Sequence, residues 1–227
     1  MTFQRYAIFY LPPPDAGWTR FATSWLGWDA ESGASVAHPA LDDLPVGEIT
    51  KTPRKYGLHG TLKPPFRLAD DTDSGALDAA CLELARSLAP VRLEGLELTR
   101  MGRFLALCPR GDQTAIARLA ARTVRKLDRF RAPSSEAELA RRRGKGLNEQ
   151  QDRNLRAWGY PFVMDQFRFH ITLTGRLDPA LSSDVCATLR RHLVPILPDP
   201  FDVPDLALIG EAADGRFHMI RRYALSG

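Results

Sequence analysis

The chain has 227 residues and a formal net charge of +4, and its 44% hydrophobic and 26% charged residues are typical of a globular protein. Its three cysteines argue against a disulfide framework, and the lack of an apolar run of about 18 residues argues against a membrane-spanning helix. We therefore expect a cytoplasmic protein with no membrane partner and no obligate protein partner.

The N-terminal segment predicts a strand followed by a helix. Residues 3–11 are rich in aromatic and apolar side chains and precede three consecutive prolines, which is typical of a β-strand. Apolar residues recur at helical spacing from Trp18 to Leu26, after the possible N-cap Asp15. Residues 27–49 lack periodicity and carry Gly, Pro and Asp, which predicts a long loop.

One sequence frame, aromatic-x-apolar-His-x-Thr-Leu, occurs at residues 56–62 and again at residues 167–173. In a strand, residues two apart point to the same face, so each histidine shares a face with the threonine of its own frame. If the two strands meet, two imidazoles and two hydroxyls surround one cleft. The frames thus predict a catalytic set consisting of His59, Thr61, His170 and Thr172.

Each frame is followed by the same series of predicted elements. They are a helix (74–88 and 179–193), an alternating strand (91–98 and 201–208) and a strand that begins Gly-Arg-Phe (102–107 and 215–220). Such internal repetition indicates duplicated lobes. We expect one bilobal domain, residues 1–227, with repeats at about 55–108 and 166–221.

The segment between the repeats contains three predicted helices, at 113–130, from a capping-box start at Ser134 or Ser135, and at 147–158. Residues 131–160 have no counterpart earlier in the chain, so we interpret them as an insertion that could cover the cleft. Within it, the stretch 141–146 is basic and contains glycine, which makes it a candidate ligand-facing loop. The other arginines of this segment are expected to solvate helix faces.

Two histidines on opposite sides of a phosphorus atom suit phosphodiester chemistry. One can take a proton from the attacking oxygen and the other can give a proton to the leaving oxygen, because histidine exchanges protons near neutral pH. Threonine hydroxyls can donate hydrogen bonds to the non-bridging oxygens. Neither histidine lies in a metal-binding spacing, so we expect no metal and no cofactor.

Basic residues flank both histidines, and strand alternation places several of them on the histidine face. An anion bound there would be held by cationic and hydroxyl donors. The predicted substrate-binding residues are Lys63 and Arg168, followed by Lys55, Tyr56 and Arg176.

The paired His-x-Thr motifs resemble the two-histidine (2H) phosphoesterase superfamily, and residues 55–66, 158–164 and 167–174 are similar to a bacterial branch associated with phosphonate metabolism. This resemblance implies an α+β bilobal fold with two pseudo-symmetric antiparallel-sheet lobes around a central groove and helices outside. It also implies that the histidines and threonines of the two motifs are catalytic. Gly60 departs from the apolar residue that such strands often carry, so we expect looser packing behind the first motif.

The sequence therefore predicts a metal-independent phosphodiesterase that hydrolyses a small cyclic phosphate ester, with a ribose-derived ester as the candidate substrate. Two alternatives remain open. One is processing of RNA ends that carry a 2′,3′-cyclic phosphate, or formation of 2′-5′ linkages, with RNA as the partner. The other is a nucleotide- or RNA-binding module without turnover.

Overall fold

A computed structural model describes residues 2–41, 44–144 and 146–227. Over these residues the strands are β1 (Arg5–Tyr10), β2 (Trp28–Asp29), β3 (Ala34–Ser35), β4 (Gly60–Phe66), β5 (Val91–Leu93), β6 (Leu96–Met101), β7 (Phe104–Pro109), β8 (Ile171–Thr172), β9 (Phe201–Val203), β10 (Asp205–Glu211) and β11 (Phe217–Ala224). The α-helices are α1 (Gly17–Leu26), α2 (Val46–Ile49), α3 (Lys51–Arg54), α4 (Ser74–Arg86), α5 (Thr114–Lys126), α6 (Glu136–Arg143), α7 (Glu149–Trp158) and α8 (Pro179–His192). No helix in this part of the chain has the length and apolar character needed to cross a membrane.

The elements confirm the predicted α+β class, because the strands of the main sheet pair antiparallel and the chain also contains α-helices. The capping-box start at Ser135 is also as predicted, and α7 ends in a left-handed C-cap at Gly159. The expected loop at 27–49 is wrong, since it contains the β2–β3 hairpin and α2. Elements of two to four residues are too short to produce a periodic pattern.

The main sheet has seven strands in the order β11-β10-β1-β4-β8-β7-β6, and the strands of the two His-x-Thr motifs are neighbours within it. The central residue of the first motif, Gly60, pairs with the central residue of the second, Ile171. Hairpin β6–β7 flanks the second motif strand, whereas β10 reaches the first motif strand through β1. Thus β6 and β7, which follow the first motif in sequence, lie beside the strand of the second motif. Strand β10, which follows the second motif, lies on the side of the first motif strand.

The two faces of the sheet differ in what they pack against. Along β1, Ile8 contacts the large core beneath the helices, whereas Phe9 belongs to a smaller apolar cluster on the opposite face. Thr61 lies opposite Phe9, and Lys63 lies opposite Ile8. One residue of β1 is therefore matched by two residues of β4. This β-bulge turns Lys63 to the face that Thr61 does not share.

Gly60 is tightly packed, contrary to the expected looseness behind the first motif. A Cβ atom added at Gly60 would lie 2.3 Å from Cζ of Phe169, so the phenyl ring occupies the space where a side chain would be. Phe169 immediately precedes the second histidine and is itself buried in the large core. The first motif therefore lacks a central side chain because the second motif supplies one.

The helices between the repeats differ in how they are attached. Helix α5 buries Ile116, Leu119 and Val124 and packs on β4 from the side of the large core. Helix α6 has no buried residue. It is held by polar contacts, including ion pairs Arg67–Glu138 at 2.9 Å and Arg143–Asp152 at 2.6 Å. Residue 145, within the predicted ligand-facing loop, lies outside the described residues.

The substitution Gly60→Ala is expected to lower the free energy of unfolding by about 1–3 kcal/mol, because the added methyl group overpacks the space filled by Phe169. Urea denaturation followed by tryptophan fluorescence measures this change. Gly17→Ala is the matched control, since open space surrounds Gly17 at the start of α1 and alanine favours a helix. An unchanged unfolding energy for Gly60→Ala would show that the ring moves aside freely.

Candidate active site

A cavity of about 460 Å³ lies on the face of the sheet that carries Phe9 and Thr61. Its floor is formed by β1, β4, β8 and β7, and its rim by residues of α3, by Arg142 of α6 and by Tyr160 after α7. Four of its lining residues, here named the motif quartet, are His59, Thr61, His170 and Thr172. The structure thus brings together all four side chains that the repeated frame singled out.

The arrangement of the motif quartet follows from the sheet register. Because Gly60 pairs with Ile171 in an antiparallel ladder, each histidine lies opposite the threonine of the other motif. The two histidines are therefore diagonal neighbours, a relation in which residues are about 7–8 Å apart, with Cβ atoms somewhat closer. This separation leaves room for one ligand group between the two rings and within reach of both hydroxyls.

Each histidine ring is oriented by a backbone carbonyl two residues earlier in the chain. Nδ1 of His59 lies 3.0 Å from the carbonyl oxygen of Gly57, and Nδ1 of His170 lies 2.8 Å from that of Arg168. A carbonyl oxygen can only accept a hydrogen bond, so Nδ1 carries the proton in both rings. In each neutral ring Nε2 then remains as the acceptor that a ligand can use.

His59 is enclosed by aromatic rings. Its ring centroid lies 4.1 Å from that of Phe9 and 5.5 Å from that of Tyr56. This burial lowers the pKa of His59 to about 4, the bond to Gly57 opposes the change, and the nearby charge of His170 lowers it further. At neutral pH the His59 ring is therefore uncharged, with a free lone pair on Nε2.

Lys63 does not line the cavity, so its predicted place on the histidine face is wrong. The bulge in β4 turns it into the large core, where its side chain is 2% exposed. Its ammonium group lies 3.1 Å from a carboxylate oxygen of Asp128, which Arg131 also contacts at 2.9 Å. Burial lowers the pKa of Lys63 to about 8. This lysine is a structural residue that links β4 to the end of α5.

The other predicted binding residues divide into two groups. Tyr56 and Arg176 line the cavity, whereas Lys55 and Arg168 do not. Side-chain alternation extends only to residues that adjoin a strand, as His59 and His170 do, whereas Lys55 and Arg168 lie further from β4 and β8. Lys55 ends the turn of α3 and contacts the ring of Tyr56, and Arg168 is exposed. Arg168 contributes to the site through its carbonyl group instead.

Several residues of the cavity wall were not predicted from the sequence. Arg5 reaches the cavity from β1 and is held by Glu211, with one hydrogen bond of 2.8 Å. Arg142 and Tyr160 lie within the predicted insertion, so the sequence indicated their region but not their roles. Phe104, from β7, lies 6.1 Å from the ring of His170. Nothing in the local pattern around Arg5 or Phe104 distinguishes them from ordinary strand residues.

The charge of the cavity is positive. Three arginines contribute to its wall, and among the described lining residues none is acidic. Groups of three or more side chains able to hold a metal ion are also absent from the described parts of the chain. The arrangement can therefore bind an anion and exchange protons with it at two positions.

The state of His59 can be measured directly. We expect its ring to stay neutral, with the proton on Nδ1, until the pH falls to about 4, because burial disfavours the charged form. Long-range nitrogen–proton NMR spectra recorded during an acid titration report both the tautomer and the pKa, and the His59→Gln variant assigns the signal. A ring that titrates near the ordinary value of about 6.5 would contradict this environment.

The chain belongs to the family described as "Protein of unknown function (DUF1045)", whose family model matches residues 61–218. This match includes Thr61 and the whole second motif, and it begins two residues after His59.

Two curated bacterial proteins are similar to this chain, and both are named ribose 1,5-bisphosphate phosphokinase PhnN. The one from Janthinobacterium sp. (strain Marseille) is 37% identical over 194 residues, covering 82% of this chain and 42% of the relative. The one from Laribacter hongkongensis (strain HLHK9) is 33% identical over 211 residues, covering 93% and 49%. The chain thus spans about half the length of the curated relatives it matches.

Among solved structures, the chain resembles the crystal structure of E. coli LigT in its apo form. The TM-score is 0.51 at 17% sequence identity, and the match covers 100% of each chain. The fold expected from the resemblance to the two-histidine phosphoesterases is therefore confirmed.

Proposed function

We propose that this member of the DUF1045 family is a phosphodiesterase that hydrolyses a small cyclic phosphate ester, with its two histidines acting as base and acid. The observation that carries the proposal is the diagonal arrangement of the motif quartet, which follows from the pairing of Gly60 with Ile171. A phosphate held between the two rings has a proton acceptor on one side and a proton donor on the other. In-line displacement at phosphorus requires that geometry.

We assign the base to His59. A general base must be uncharged before it accepts a proton, and burial keeps this ring neutral at physiological pH. Nε2 of His59 takes a proton from water as the water oxygen forms its bond to phosphorus. The bond between phosphorus and the sugar oxygen on the far side breaks.

His170 then acts as the acid. It enters the reaction as the imidazolium, with one proton on Nδ1 at the carbonyl of Arg168 and a second on Nε2. The Nε2 proton passes to the departing sugar oxygen, and solvent then takes the proton from His59 and returns one to His170. Thr61 and Thr172 donate hydrogen bonds to the non-bridging oxygens as negative charge builds there, and Arg176 supplies positive charge at the rim. The product is a phosphate monoester.

The names of the two relatives suggest a substrate of the ribose-derived kind expected for the phosphonate-associated branch. Both are named for an activity on ribose 1,5-bisphosphate. Hydrolysis of the 1,2-cyclic phosphate of ribose 5-phosphate, with cleavage of the bond from phosphorus to O2, yields that compound. A cavity of about 460 Å³ is within the usual range of about 300–1,000 Å³ for small-molecule sites. We therefore propose this cyclic sugar phosphate as the substrate.

Alanine substitution of either motif histidine is expected to lower kcat by about 100- to 10,000-fold while the protein remains folded, because each removes one proton transfer. Turnover is followed by phosphorus NMR in isotopically labelled water, which places labelled oxygen in the product phosphate. His192→Ala is the matched control, since His192 is exposed at the end of α8. Near-normal turnover by both His59→Ala and His170→Ala would refute the mechanism.

The pH profile distinguishes the base. Protonation of His59 inactivates it, so kcat/KM, which reports the free enzyme, is expected not to drop below its neutral-pH value until the pH approaches 4. An acid limb centred near pH 6.5 would instead indicate that another group accepts the proton.

A substrate screen separates this proposal from RNA-end processing. Ribose 5-phosphate 1,2-cyclic phosphate, nucleoside 2′,3′-cyclic phosphates and RNA oligonucleotides with a 2′,3′-cyclic end are compared at several salt concentrations. We expect turnover of the first. A preference for the RNA end, with a rate that falls steeply as salt rises, would favour the RNA alternative.

A further inference from the structure

Arg142 is a cationic residue of the cavity wall that takes no part in the chemistry proposed for the motif quartet. We propose that Arg142 and Tyr160 form a second anion subsite, which holds a phosphate monoester on the substrate at the end of the cavity remote from Arg176. This inference rests on the proposed hydrolysis of a sugar cyclic phosphate and identifies the residues that recognise the second phosphate of such a substrate.

The charge of the cavity wall supports a second anion subsite. A cyclic phosphodiester carries one negative charge, whereas a phosphate monoester carries about −1.5 to −2 at neutral pH. Of the three arginines of the wall, Arg5 is neutralised by Glu211. Arg142 and Arg176 form no ion pair within the described parts of the chain. The cavity therefore offers one more free cation than a cyclic diester alone requires.

The positions of Arg142 and Arg176 also support a second anion subsite. Helix α6 lies near the end of β4, because its Glu138 pairs with Arg67, the residue that follows β4. Arg176 follows β8, which runs antiparallel to β4, and the backbone of Gly175 bonds to Ile49 just before α3. The two free arginines are consequently at opposite ends of the motif quartet. A substrate with two phosphates can contact both at once.

Arg142 also has no evident structural role. Helix α6 buries no residue, and its ion pairs to the rest of the protein use Glu138 and Arg143. The guanidinium group of Arg142 lies over the ring of Tyr160, 5.0 Å from its centroid. A guanidinium that lies over an aromatic ring keeps N–H donors at its edge, and these can bind two phosphate oxygens. Burial raises the pKa of Tyr160, so its hydroxyl remains a donor.

The test compares two substrates that differ only in the remote phosphate, ribose 5-phosphate 1,2-cyclic phosphate and ribose 1,2-cyclic phosphate. The ratio of their kcat/KM values is measured for the native protein and for the Arg142→Gln variant. We expect the native preference for the phosphorylated substrate to fall by about 10- to 100-fold in the variant, mainly through KM, since a hydrogen-bonded charge pair is lost.

Arg141→Gln is the matched control, because it removes the same charge from the same helix at an exposed position outside the cavity. It is expected to keep the native preference. Arg142→Lys should restore part of the preference, since it returns the charge without the planar, bidentate group. An unchanged ratio in Arg142→Gln, or an equal loss in Arg141→Gln, would overturn the proposal.

Binding measurements separate the failure of the subsite from the failure of the proposed function. Calorimetric titration with ribose 5-phosphate, and with ribose as the blank, does not depend on turnover. If the native protein cleaves neither cyclic phosphate but binds ribose 5-phosphate through Arg142, the subsite stands and the hydrolysis proposal fails. If Arg142→Gln binds ribose 5-phosphate as the native protein does, the subsite is refuted whatever the turnover.

Discussion

The pairing of Gly60 with Ile171 determines the rest of the site. It aligns two short strands from distant parts of the chain in antiparallel register, and this register alone fixes which motif side chains are opposite and which are diagonal. A slip of one residue would move a whole motif to the other face of the sheet. The packing of Phe169 against Gly60 opposes such a slip, because the ring fills the space that a side chain at position 60 would occupy.

The electrostatics of the cavity depend on the same sheet. Its histidine face carries Phe9, and the packing of aromatic rings against His59 buries the imidazole and holds that ring neutral. The opposite face packs against the large core and carries the buried Lys63, which pairs with Asp128. One strand therefore presents hydrogen-bonding side chains to the cavity and an ion pair to the core. The β-bulge between Thr61 and Lys63 makes both possible.

The sequence was sufficient to predict the motif quartet and the α+β class, because a repeated frame and long periodic segments depend on local spacing. The predictions from the sequence were wrong where the position of a side chain depends on more than local spacing. Strand alternation misplaced Lys63 because a bulge shifts the face. It misplaced Lys55 and Arg168 because both are separated from β4 and β8, whereas the two histidines adjoin those strands. Arg5 and Arg142 reach the cavity through tertiary contacts with Glu211 and Tyr160, which no local pattern encodes. The backbone carbonyl groups that orient the two histidines could not be predicted either, because a pattern of side chains gives no information about them.

The interleaving of the strands bears on how the chain can be divided. Beyond the main sheet, β5 from the first repeat pairs with β9 from the second, so the two halves of the sequence are joined at a second place. A fragment that ended after β7 would lack β8, the partner of both β4 and β7. Its strands would present unpaired backbone groups to other molecules, and association through exposed edges would follow.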